Sequence, residues 1–165
     1  MHPQIEAVFD EAENRYLHPD EINVLTQYVN TLPSRLETYR TLRDRELEIM
    51  QPVADQLVNE MPNESLPNLE RCIKNSILVL RSCALGMLLE DEQLVRQRLE
   101  GWLSTTAQAY NSYAIDATLY RIMERQLAQV LSPQQMSLFR PMFGLAQRLL
   151  MNVEDEPLTA ATIGW

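Results

Sequence analysis

The sequence predicts an all-α fold on three observations. Only four of its 165 residues are glycine, and leucine, glutamate, glutamine, arginine and methionine, which favour helices, are frequent. Apolar side chains recur every three or four residues, most clearly between Leu69 and Leu89. No stretch of useful length alternates between apolar and polar residues as a strand would. The length fits one domain with a substantial core.

Prolines, more than glycines, mark the predicted helix boundaries. Pro19 precedes an acidic first turn, Pro52 is expected to interrupt or kink a long helix, and Ser132, Pro133 and Gln135 form a capping box. Two prolines and two asparagines predict a loop over residues 61–67. In chain order, we expect helices over residues 3–16, 19–30, 34–61, 69–89, 92–110, 115–131 and 133–150, with a turn at Glu90 and Asp91.

The helix expected over residues 69–89 is apolar over much of its circumference, which is typical of a central, buried helix. Its most apolar window, residues 76–89, contains Arg81 and is shorter than the roughly 20 residues that cross a bilayer, so we expect no membrane insertion. The segment 151–165 begins with acidic residues and is predicted to be a flexible tail.

The formal net charge of −9 opposes binding to nucleic acid or to an anionic membrane. The first ten residues lack the basic start and apolar run of a signal peptide. Cys72 and Cys83 are eleven residues apart on one predicted helix, roughly 16 Å along its axis, which is too far for a disulfide. Two free thiols suit a reducing compartment, so we expect the cytoplasm.

The residues for most catalytic and cofactor chemistry are missing. The two histidines, His2 and His18, lie outside the predicted central helices, so neither haem ligation nor a nucleophile–histidine pair is expected. Too few Cys and His ligands are present for a zinc site, and no glycine-rich phosphate loop occurs. The sequence therefore predicts a protein that acts by binding and is not an enzyme, without haem or metal.

Cys72 allows two interpretations. A single cysteine in a helix is most often a small buried apolar residue. Its predicted place at the start of a helix, flanked by Arg71 and Lys74, would instead lower the pKa of its thiol and make it reactive. Trp102, Tyr110 and Tyr113 lie beyond that helix, and such aromatic residues belong to a core more often than to a pocket.

Several short motifs, in order, resemble the phycobiliproteins. Residues 11–17 (EAENRYL) and 19–22 (PDEI) resemble the signature of their first helix. Residues 72–75 (CIKN), followed by Leu80-Arg81 and Gly86, resemble the helix that carries their bilin. The end of their second long helix is matched by residues 55–57 (DQL) and Pro62, and the resemblance covers about residues 5–150, with one deletion before Cys72.

The resemblance implies a globin-like fold with two additional N-terminal helices. It divides the chain into N-terminal dimerisation helices over residues 1–32 and a globin-like core over residues 33–150. In this family an acidic residue of the first helix pairs across the subunit interface with an arginine of the bilin helix. The matching residues are Glu11 and Arg81, with Arg15 beside them, so we expect a homodimer or a phycobiliprotein-type heterodimer.

The resemblance also implies a site for a linear tetrapyrrole (bilin), formed by Cys72 as the attachment point with Arg71, Lys74 and Asn75 beside it. Asn75 stands where the family has an aspartate, so the negative charge beside the pyrrole nitrogens is lost. This departure favours a non-antenna member that is associated with bilin biosynthesis and its enzymes. The alternatives are a divergent light-harvesting subunit of the phycobilisome with bilin on Cys72, and a ligand-free structural or regulatory dimer.

Overall fold

The computed structural model describes residues 2–152, and every regular element within them is an α-helix, as the sequence predicts. The eight helices of this part of the chain are α1 (Pro3–Ala12), α2 (Pro19–Asp44), α3 (Glu46–Glu60), α4 (Leu66–Leu89), α5 (Glu92–Leu99), α6 (Trp102–Ala109), α7 (Tyr113–Val130) and α8 (Pro133–Met151).

Helix α4 lies at the centre and packs against α2, α3, α5, α7 and α8. By length and composition alone it would also pass as a membrane-crossing helix, contrary to our expectation that no apolar segment is long enough. Half of its most apolar window is buried against the other helices. A helix enclosed in this way is apolar around most of its circumference, which explains its composition.

The core between α7 and α8 is aromatic. Tyr120 stacks on Phe143 with 5.5 Å between the ring centroids, and Phe139 lies 5.8 Å from Phe143 on the other side. The predicted capping box at the start of α8 is confirmed, since Gln135 N–H donates to Ser132 Oγ at 3.1 Å. The cap sets the direction in which α8 enters the core.

Helix α2 is continuous through Pro33, so the predicted helix end at Asn30 is wrong. Proline removes one helical hydrogen bond, and Arg35 stabilises the turn before it. The buried Arg35 donates to the carbonyl oxygen of Tyr28 at 2.6 Å and to the carbonyl oxygen of Leu88 at the end of α4. The division at residue 32, between dimerisation helices and core, falls inside this one helix.

Other predicted boundaries shift for local reasons. The long helix is interrupted at Arg45 and passes through Pro52. The helix expected over residues 92–110 is split at Gly101, whose φ of +76° ends regular helix. Helix α1 stops at Ala12 instead of residue 16. Helix α8 includes Met151, and residues 153–165 of the predicted tail lie outside the described part of the chain.

Candidate functional site

Cys72 lies in the second turn of α4, because the helix begins three residues earlier than predicted. Its side chain is only 2 % exposed. The space beside it is a cavity of about 10 Å³, which is room for about one water molecule. The lining side chains come from α4, α6, α7, the residue before α7 and the end of α8: Cys72, Asn75, Ser76, Leu103, Thr106, Ala107, Ser112, Asp116, Tyr120 and Leu150.

The polar neighbours of the Cys72 thiol are Ser112 and Asp116. Burial, followed by the charge and the hydrogen bond of Asp116, raises the pKa of this thiol to about 11. The opposing effect of Arg71 is smaller. The interpretation of Cys72 as an activated thiol is therefore wrong, because burial and a nearby carboxylate outweigh the flanking cations.

Asp116 is a site residue that our sequence reasoning missed. It is buried, and Ser112 Oγ donates a hydrogen bond of 2.8 Å to its Oδ2 atom. Burial raises the pKa of this carboxyl, although the hydrogen bonds from Ser112 and Cys72 act in the opposite direction. The signal was present in the sequence, since Asp116 lies on the apolar face of α7 with Ile115 and Leu119.

Helix α6 covers the thiol from the solvent side. Its end is held by Tyr110, whose ring lies 3.6 Å from the guanidinium carbon of Arg71. The Tyr113 hydroxyl donates to the carbonyl oxygen of Ser104 at 3.2 Å. As expected, Trp102 and Tyr113 pack against the core, whereas the Tyr110 side chain is 55 % exposed. These contacts hold α6 against the small cavity beside Cys72.

Only two of the four predicted bilin-binding residues lie at the same site. Cys72 and Asn75 line the same small cavity, Arg71 stacks on Tyr110, and Lys74 is exposed to solvent. Small-molecule sites usually enclose about 300–1,000 Å³, against about 10 Å³ here. A linear tetrapyrrole therefore does not fit beside Cys72 in this structure.

The predicted interface residues have partners within the chain. Glu11 lies 3.3 Å from Arg15, and Arg15 also makes two hydrogen bonds of 2.8 and 3.0 Å to Glu21. These bonds lower the pKa of Glu21 to about 2 and fix the connection between α1 and α2. Arg81 pairs with Glu46 through two hydrogen bonds of 2.6 and 2.8 Å. Glu11 and Arg81 are both exposed, but their contacts within one chain do not test whether they pair between subunits. The dimer therefore stays a prediction.

The all-helical fold, with Cys72 near the start of its central helix, agrees with the globin-like class of protein that the resemblance implies. The family model described as phycobilisome protein matches residues 8–150, and the chain belongs to this family. The match confirms the resemblance found in the sequence. A comparison with curated proteins gives no match.

Proposed function

We propose that this chain is a non-antenna member of the phycobilisome family that binds a linear tetrapyrrole reversibly during bilin biosynthesis in the cytoplasm. Phycobiliproteins carry covalent linear tetrapyrroles, and this chain belongs to their family. Family membership carries the proposal that the chain binds a bilin. The closed space at Cys72 leaves no room for an attached pigment and so favours binding without a covalent bond. Asn75, in place of the family's aspartate, agrees with a site that does not hold a rigid pigment.

The proposal assigns no reaction to the chain. A thiol with a pKa of about 11 is almost entirely protonated at neutral pH, so it is a poor nucleophile for thioether formation. In this scheme the protein accepts or shelters a bilin and docks on the enzymes that make it. The closed site also agrees with the second candidate, a ligand-free structural or regulatory dimer.

Co-expression with bilin-producing enzymes tests the proposal. We expect pigment that co-purifies with the native protein and is released by denaturation, equally in wild type and in Cys72→Ala. Cys83→Ala is the matched control, because Cys83 is buried away from the predicted site. A sharp, fluorescent pigment that survives denaturation and is lost in Cys72→Ala would identify a light-harvesting subunit. Protein that never binds bilin would identify the ligand-free dimer.

A further inference from the structure

A half-open groove of about 380 Å³ lies between α2, α3, α4 and α5, on a part of α4 beyond Cys72. Its floor is formed by aliphatic side chains and one tyrosine, and its rim by three arginines and one glutamate. The floor residues are Tyr39, Leu42, Leu80, Ala84 and Leu85, and the rim residues are Arg43, Arg81, Arg98 and Glu46.

The rim is positively charged, although the whole chain has a net charge of −9. Arg81 is paired with Glu46, and Arg43 Nε lies 2.7 Å from Asp44. Within residues 2–152, the side chain of Arg98 makes no hydrogen bond or ion pair. The groove therefore offers at least one guanidinium group to a ligand carboxylate, next to an apolar surface.

A second cleft, of about 520 Å³, is larger but has the opposite character. It is lined by Glu90 and Glu92, and its arginine, Arg35, is already bonded to Tyr28, Thr31 and Leu88. An anionic ligand would meet two carboxylates there and no unpaired guanidinium group. Charge complementarity thus favours the groove of about 380 Å³ over this cleft.

We propose that this groove binds a linear tetrapyrrole dicarboxylate without a covalent bond. The apolar body lies on the floor between Leu80 and Tyr39, and the carboxylates meet Arg98 and Arg81. The inference rests on the proposed function, for which it supplies a binding surface separate from Cys72. The volume is at the lower end of the usual range for small-molecule sites, so part of the ligand stays exposed, which suits transfer to another protein.

Titration with biliverdin, followed by its visible absorbance, tests the groove. We expect Arg98→Gln to weaken binding by about two- to fivefold, the effect of one lost solvent-exposed ion pair. Glu46→Gln should strengthen binding several-fold, because it removes the carboxylate that competes for Arg81. Biliverdin dimethyl ester, which lacks both carboxylates, should bind more weakly than biliverdin and should not respond to either substitution.

Two controls separate this groove from other surfaces. Arg140→Gln removes an arginine from a different cleft, between α7 and α8, and Cys72→Ala removes the family's attachment residue. Both should bind biliverdin like wild type. If wild type binds biliverdin but Arg98→Gln and Glu46→Gln leave the affinity unchanged, the assignment of the ligand to this groove is wrong and the proposed function stands. If wild type does not bind biliverdin at all, the proposed function itself fails.

Discussion

Asp116 is expected to make the stability of the protein depend on pH. Its carboxyl is buried beside a thiol and a hydroxyl, and burial raises its pKa above the ordinary value of 3.8. The native state therefore holds a proton on Asp116 more readily than the unfolded chain does. The stability that this group contributes is fully present below the ordinary aspartate pKa and is lost as the pH rises through the raised value.

Asp116→Asn removes the buried carboxyl group and so tests this pH dependence of stability. We expect the free energy of unfolding of the variant, relative to wild type, to increase between pH 3.8 and neutrality, because only the wild type must ionise a buried group. Urea unfolding at several pH values in this window measures the difference. Asp55→Asn, at an exposed position, is the control and should show no such trend. A difference that stays constant with pH would contradict the buried-carboxyl argument.

For single residues, the sequence predicted only part of the site at Cys72. The residues of the predicted bilin site could be named from local motifs, because Arg71, Cys72, Lys74 and Asn75 are neighbours in the chain. Asp116 is more than forty residues away, and only the packing of α7 on α4 brings it to the thiol. One of the two interpretations of the local pattern at Cys72 was a thiol with a lowered pKa. Burial, together with this distant carboxylate, raises the pKa instead.

At the scale of the elements, the packing of α5 on α4 depends on Gly86. A Cβ atom at this position would lie 2.3 Å from Val95 Cγ2 and 3.3 Å from the carbonyl oxygen of Asp91. The absence of a side chain allows α5 to approach α4 closely, just after the left-handed turn at Glu90. The sequence alone gives no sign that a helical glycine has this role.

Gly86→Ala should destabilise the fold by about 1–3 kcal/mol, the usual cost of an overpacked core. Gly144→Ala is a matched control in α8, where the added Cβ meets only Arg148 Nη1 at an ordinary 3.6 Å. That variant should be stabilised by up to about 1 kcal/mol through helix propensity. Chemical denaturation of both variants measures the two effects. Equal stability changes in the two variants would show that α5 does not constrain Gly86.

Helix identity was predictable from the sequence, whereas several helix boundaries were not. Periodicity and caps act locally, so the starts of α2 and α8 at Pro19 and Pro133 were predicted correctly. Pro33 was expected to separate two helices, but a distant interaction keeps α2 continuous, since Arg35 bonds to the end of α4. The interruption at Gly101 depends on a positive φ that a glycine permits but does not require.

For the whole molecule, charge is distributed unevenly. Helix α1 carries the acidic residues Glu6, Asp10 and Glu11, whereas the groove carries three arginines. A second copy that paired its Glu11 with Arg81 would share this guanidinium group with Glu46, which occupies its Nε and Nη2 atoms, and would cover the groove. The proposed ligand and the predicted dimer therefore use the same guanidinium group, so their binding is expected to be linked.

Sedimentation velocity with and without biliverdin tests this linkage. We expect biliverdin to shift the protein towards the monomer and, by reciprocity, dimer formation at high protein concentration to weaken biliverdin binding by the same factor, about fivefold or more. Glu11→Gln should weaken the dimer while leaving the affinity of the monomer for biliverdin unchanged, because Glu11 lies outside the groove. Its exposed contact with Arg15 contributes little to stability, so the variant should remain folded. If the dimer binds biliverdin as tightly as the monomer does, the subunit interface lies away from Arg81. A second subunit and biliverdin cannot occupy the same half-open groove at the same time.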